Sequence, residues 1–242
     1  MAHGTPDWGL VGPKSTTYGL DDLGEAVVRL GSPHLWDRRG DVIVLESFEN
    51  GLGVCQPLLS GALAALDLHA GNAAHGVLSL GLTAGSDVGH YAEVWLYHGL
   101  PVSSRVGLEF AFTNDQWTES WVWWIAWYTG THLIQARVWF LRQTKDLQYE
   151  DDGGLPQPFE DDVQVWATAK CWNIGKLVVD FTEHRYIRFI MNDVAWDLSA
   201  YPMAFGLDPT PASLRVFVQH IGVADHNPLA YLDTVILTHN EP

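Results

Sequence analysis

The run Trp121-Val122-Trp123-Trp124-Ile125-Ala126-Trp127-Tyr128 is the most concentrated source of recognition chemistry in the 242-residue sequence. Exposed indole rings stack on the apolar faces of pyranose sugars, so tryptophans at this density could make a glycan platform. On a strand, Trp121, Trp123, Ile125 and Trp127 face one way, and Val122, Trp124, Ala126 and Tyr128 face the other. Both faces are apolar. Such a strand is central and covered on both sides, by the core on one and by a loop, an arm or another chain on the other. Trp121, Trp123, Trp124 and Trp127 are therefore candidates for core or subunit interface on one reading and for a glycan platform on another.

Catalytic groups are harder to assemble. Hydrolysis of a glycosidic bond needs two carboxyls about 5 to 9.5 Å apart. The strand-borne acids are isolated instead: Glu93 in Tyr91-Ala92-Glu93-Val94-Trp95, Glu109 in Gly107-Leu108-Glu109-Phe110, and Asp180 in Val178-Val179-Asp180-Phe181. Each is expected to face solvent. The eleven histidines are scattered without a two-ligand spacing on one element. No His-Glu-x-x-His, Gly-x-Ser-x-Gly or glycine-rich phosphate loop occurs. Nothing joins a nucleophile, a base and an oxyanion hole, which predicts a nonenzymatic protein that requires no cofactor. Cys55 and Cys171 are too few for a disulfide framework in a chain this long and are expected as buried thiols.

The formal charge is -16, with 13 Lys and Arg against 29 Asp and Glu. That balance opposes the attraction on which phosphate-backbone binding depends, so nucleic acid is not an expected partner. The amino terminus shows no basic start followed by an apolar run, so no secretory signal is expected. The longest apolar stretches fall well short of the roughly 20 residues needed to span a bilayer, which predicts no membrane insertion.

The elements that would position these residues divide at about residue 40. Met1 to Thr17 is rich in Gly, Pro, Ser and Thr and predicts an extended arm. Leu20, Leu23, Val27 and Leu30 then fall at helical spacing, with acids in the first turn and Gly31-Ser32-Pro33 as the stop. This short amphipathic helix needs something to cover its stripe. From Asp41 the pattern is of about a dozen short strands separated by turn signals such as Thr129-Gly130-Thr131, which predicts an all-β, antiparallel sandwich. Thr144 to Asp162 collects seven acids around Gly153-Gly154 and two prolines and is expected to be a long acidic loop.

Two segments bracket the sandwich. Leu45-Glu46-Ser47-Phe48-Glu49-Asn50-Gly51 near its start and Tyr231-Leu232-Asp233-Thr234-Val235-Ile236-Leu237 at its end resemble the first and last strands of concanavalin-like and laminin-G-like jelly rolls. The resemblance implies a jelly-roll β-sandwich over residues 41–242 whose terminal strands lie together, preceded by an anchor of arm and helix over residues 1–40. It also implies a possible structural calcium between Glu49 and Asp233, whose hard oxygens suit that ion. The Glu-x-Asp-x-x-Glu strand of glycosidases with this fold is absent. The first fifty residues, from Met1-Ala2-His3-Gly4-Thr5-Pro6-Asp7-Trp8-Gly9 through Asp37-Arg38-Arg39-Gly40-Asp41, resemble the start of laminin-G-like virion proteins of tailed bacteriophages. That likeness implies a nonenzymatic virion structural protein, a capsid decoration or tail component assembled in the host cytoplasm. It would be anchored to other virion proteins and to copies of itself through Trp8, Leu20, Leu23, Val27, Leu30, Arg38 and Arg39. The alternative is a carbohydrate-binding module or a lectin for host glycans.

Overall fold

The computed structural model describes residues 39–99 and 103–242, so the expected arm and helix lie outside the described residues. The described chain contains sixteen strands and no helix. In chain order they are β1 (Asp41–Glu46), β2 (Cys55–Ser60), β3 (Ala65–Ala70), β4 (Leu78–Thr83), β5 (Tyr91–His98) and β6 (Arg105–Phe112). There follow β7 (Thr118–Tyr128), β8 (His132–Leu141), β9 (Asp146–Glu150), β10 (Pro156–Glu160) and β11 (Asn173–Asp180). The last are β12 (Arg185–Met191), β13 (Val194–Asp197), β14 (Ala204–Leu207), β15 (Ser213–Gly222) and β16 (Leu229–His239).

All pairings are antiparallel, and they build two eight-stranded sheets. The first runs β13-β12-β11-β6-β16-β4-β3, with β1 added beside β16; the second runs β10-β9-β8-β7-β15-β5-β2, with β14 added beside β8. The bracketing strands do meet, from Asp41 opposite His239 to Glu46 opposite Val235. One side of β16 is shared, because Leu229 to Leu232 pair with β4 and Val235 to His239 pair with β1. The hand-over falls at Asp233-Thr234, where the register shifts and Thr234 has a φ of 50°.

Alternation along the strands explains how the layers close. In β8, Ile134, Ala136, Val138 and Phe140 are buried while Gln135, Arg137 and Trp139 stand on the opposite face. In β7 the inward tryptophans meet β6: Trp123 stacks on Phe110 with centroids 4.5 Å apart, and Trp121 meets Phe112 edge-on at 5.4 Å. Two polar side chains pin one sheet to the other through this core. His220 of β15 contacts Thr118 Oγ1 at 3.0 Å and the Leu82 carbonyl at 3.0 Å. The Tyr186 hydroxyl of β12 accepts the Arg137 N–H at 2.8 Å and lies 3.0 Å from the Glu150 carbonyl.

The outer face of the first sheet is closed over. Lys176 is wholly buried there between Glu109 at 3.1 Å and Glu241 at 2.9 Å, and it donates to the Arg39 carbonyl at 3.1 Å. Arg188 holds the other oxygen of Glu241 at 2.7 Å. Glu109 is thus an internal ion-pair partner rather than a solvent-facing acid, because the chain end folds across its strand. Asp180 is also sequestered, bound by Arg105 at 2.9 Å.

The expected acidic loop is corrected as well. Residues 146–160 form the β9–β10 hairpin, because Leu147 alternates into the core and Asp151 Oδ1 accepts the turn N–H groups of Gly153 and Leu155 at 3.0 and 2.9 Å. Val163 to Thr168, which follows this hairpin, is irregular.

Candidate functional site

The two faces of β7 have different fates. Trp121 and Trp123 are fully enclosed, and Trp127 packs against the same core with Phe181 edge-on at 5.6 Å. Trp121 and Trp123 thus take the core reading, since the sheet-to-sheet interior occupies that face, while Trp127 remains partly exposed at its edge. Trp124 points the other way and joins a second aromatic cluster on the outer face of the second sheet.

That cluster follows from register. Trp124 lies opposite Phe217 of β15 on one side and opposite Arg137 of β8 on the other, while Phe217 lies opposite Trp95 of β5. One row across the sheet therefore reads Trp95, Phe217, Trp124, Arg137. Phe217 stacks on Trp124 at 4.1 Å, and Trp95 meets Phe217 edge-on at 4.9 Å. The Arg137 guanidinium sits 4.1 Å above the Trp124 ring and 5.3 Å from Trp139, its neighbour two residues along β8. Trp124 is thus sandwiched between Phe217 and Arg137 and presents an edge rather than an open face. A second sandwich lies one row away, where Arg215 stands 4.1 Å over Tyr128 and 5.1 Å from Tyr97.

These side chains and their neighbours line a cleft of about 250 Å³ that includes Tyr91, Glu93, Trp95, Trp124, Arg137, Trp139 and Gln219. Glu93 was expected in solvent and is instead only 5% exposed at the cleft floor. Its carboxylate accepts from the Trp95 indole N–H and, at 2.9 Å, from the Gln219 amide. Burial pushes its pKa up to about 7, against the lowering effects of Arg137 and Gln219. Glu150, beyond Arg137, is also raised by burial, and the Gln135 amide donates to both its oxygens at 3.0 Å. Two donors in this region, Trp124 Nε1 and Arg137 Nε, have no acceptor among the described residues.

Glu93 and Glu150 stand on strands four positions apart in the sheet. At a strand spacing of about 4.8 Å their backbones are roughly 19 Å apart. The two-carboxylate geometry of glycoside hydrolysis needs at most about 9.5 Å, so these acids do not form such a pair.

The bracketing acids come together on one segment. Glu49 Oε1 accepts the N–H groups of Val77 and Leu78 at 2.6 and 2.8 Å, and Asp233 Oδ2 accepts those of Ala74 and His75 at 2.8 and 3.0 Å. Asp233 Oδ1 takes the Thr234 N–H and hydroxyl. Backbone N–H groups thus occupy Glu49 Oε1 and both oxygens of Asp233, and no group of three or more His, Cys, Asp or Glu among the described residues could hold a metal. The pair fastens the approach to β4. Of the expected anchor residues, Trp8, Leu20, Leu23, Val27, Leu30 and Arg38 lie outside the described residues. Arg39 is described, and its carbonyl receives Lys176. Both cysteines are free thiols, and burial raises Cys55 to about 12.

Comparison with known proteins gives the class of fold. No protein family and no curated protein matches the sequence. Among solved structures, the chain is similar to the carbohydrate recognition domain of Emp46p in its potassium-bound form, with a TM-score of 0.52 at 8% identity over 80% of this chain and 92% of that one. The carbohydrate recognition domain of Emp47p gives 0.51 at 11% identity, covering 77% and 89%. A Bacillus subtilis protein with a galectin-like fold gives 0.50 at 10% identity, covering 83% and 96%. At these identities the likeness shows the fold, an antiparallel jelly-roll sandwich of the lectin and galectin type.

Sequence reasoning singled out Trp124 but missed Trp95, Arg137, Trp139, Arg215, Phe217 and Gln219. A signal was present in the outward phase of three alternating strands. Tyr91, Glu93, Trp95 and Tyr97 share one face of β5, Gln135, Arg137 and Trp139 one face of β8, and Arg215, Phe217 and Gln219 one face of β15.

Proposed function

We propose that the protein is a nonenzymatic carbohydrate-binding domain whose ligand lies across the outer face of the second sheet. The supporting observation is the cleft itself: Trp95, Trp124 and Trp139 supply half-buried apolar surface, and Glu93, Arg137 and Gln219 converge on the same space as donors and acceptors. A sugar needs that combination, apolar contact for its C–H surface and fixed polar groups for its hydroxyls. The lectin-type fold supports the reading by analogy. The separation of Glu93 from Glu150 argues against glycoside hydrolysis at this face.

Binding of oligosaccharides to the full chain by calorimetry tests the proposal. Replacing Trp139 with Ala is expected to weaken affinity about tenfold with little effect on melting, because Trp139 is at the cleft rather than in the core. A Trp139→Ala variant that binds as the parent does would contradict it. Virion placement, with attachment to host glycans as its purpose, rests on the resemblance of the first fifty residues alone.

A further inference from the structure

Two groups of cations stand out among the described residues. Lys145, Arg105, Lys176 and Arg188 lie on carboxylates at 2.7 to 3.1 Å. Arg137 and Arg215 are held instead by aromatic faces. Arg137 lies between Trp124 and Trp139, and its nearest acid is Glu150 at 3.9 Å, whose oxygens are already engaged by Gln135. Arg215 lies between Tyr97 and Tyr128, donates its Nε to Ser213 Oγ at 3.1 Å, and has no carboxylate in salt-bridge range among the described residues.

A guanidinium sandwiched between rings keeps its N–H groups in the plane that the rings leave open. Its orientation is fixed, and its fork matches the two oxygens of a carboxylate or the edge of a sulfate. The two arginines occur on β8 and β15, two strand positions apart and one outward row offset. Their Cα atoms are then roughly 12 Å apart by strand geometry. Glu93, the acid on the floor, is held partly in its neutral form near neutral pH, so it opposes an incoming anion only weakly. The other acids of this face are already engaged, Glu150 by Gln135 and by Arg137 at 3.9 Å, and Asp208, near Arg215, by the Thr210 N–H at 2.8 Å.

We infer that the outer face of the second sheet selects an acidic polysaccharide, with Arg137 and Arg215 each receiving an anionic group of one chain. The inference rests on the reading of this face as the glycan site and adds the charge class of the ligand. A nucleic acid is disfavoured by the overall acidity, and the aromatic floor fits pyranose rings better than an acidic peptide.

Calorimetric titration of the full chain with four probes tests it: uronic-acid oligomers, sulfated dextran oligosaccharides, neutral gluco- and manno-oligosaccharides, and polyglutamate. Affinity for an acidic saccharide is expected, with Arg137→Met and Arg215→Met each weakening it at least tenfold. The uronate and sulfate arms identify which anion is taken. Arg137→Lys keeps the charge but loses the fork and is expected to restore binding only in part. Unchanged thermal melting of these variants keeps the comparison valid, and if one misfolds the other still decides. Salt dependence is not diagnostic, since salt screens the overall repulsion as well as the local attraction. Neutral sugars bound equally well, with the Met variants unaffected, would overturn the acidic class while leaving the glycan face standing. Polyglutamate bound as tightly as uronate would overturn saccharide selection. Failure of every acidic saccharide probe would overturn the inference whatever the neutral arm shows.

Discussion

At the scale of single residues, Glu93 and His220 show how burial on opposite sides of one sheet sets opposite dependences on pH. Glu93 is raised from its ordinary value to about 7 by burial. The folded protein therefore keeps a proton that the unfolded chain releases; the stability this provides is complete below about pH 4.5 and is lost as pH rises through 7. His220 is fully buried and lowered to about 4; its Nδ1 donates to the Leu82 carbonyl, and its Nε2 accepts from Thr118. Its contribution is present above about pH 6.5 and is lost as pH falls towards 4. The two windows overlap with opposite sign, so melting of the parent protein changes little between them on their account. Glu93→Gln removes one side of the balance. It is expected to raise stability relative to the parent at pH 8, by about 1 to 3 kcal/mol, and to give no gain at pH 5; equal effects at both pH values in urea titrations would show that Glu93 is not held protonated. Neither residue's role was legible in the sequence. A glutamate between Ala92 and Val94 reads as the polar phase of a strand, and only the register of β5 with β15 brings Gln219 and the aromatic row beside it.

At the scale of elements, alternation was read correctly wherever one face was plainly apolar. The Trp121 to Tyr128 strand presents the two faces that period-two geometry assigns. The structure has sixteen strands rather than about a dozen, and the least legible share a physical cause: β2, β9, β10, β13 and β14 are short strands whose side chains are mostly exposed or half-buried, so backbone pairing rather than an apolar phase defines them. The terminal bracket illustrates the reverse case, a motif legible in sequence whose two strands meet as expected and whose acids also hold backbone N–H groups. Asp233 marks the point where β16 changes neighbours from β4 to β1, and its carboxylate holds three backbone N–H groups there. Asp233→Ala is expected to cost about 2 to 4 kcal/mol, because those donors are left without an acceptor in a buried site. Excess calcium or chelator is expected to leave the parent melting temperature unchanged; a calcium-dependent rise that Asp233→Ala abolishes would restore the metal.

At the scale of the whole molecule, the sandwich treats its two outer faces differently. One is sealed by the buried Lys176, Glu109 and Glu241 cluster and by the ends of the sandwich segment. The other carries the aromatic and arginine rows and a cleft. This asymmetry, on a strongly acidic chain with a lectin-type fold, is the basis for assigning recognition to the second sheet. The distribution of tryptophans makes the claim directly measurable. Trp95, Trp124 and Trp139 line the cleft, Trp121 and Trp123 lie in the core, and Trp117 and Trp166 are exposed on loops. The most direct measurement follows the indole N–H resonances of the isotopically labelled full chain by NMR during titration with uronic-acid and neutral oligosaccharides. Saturable shifts concentrated at Trp95, Trp124 and Trp139 are the predicted result. Shifts confined to Trp117 and Trp166, or no saturable shift with any sugar, would contradict a binding site on this sheet.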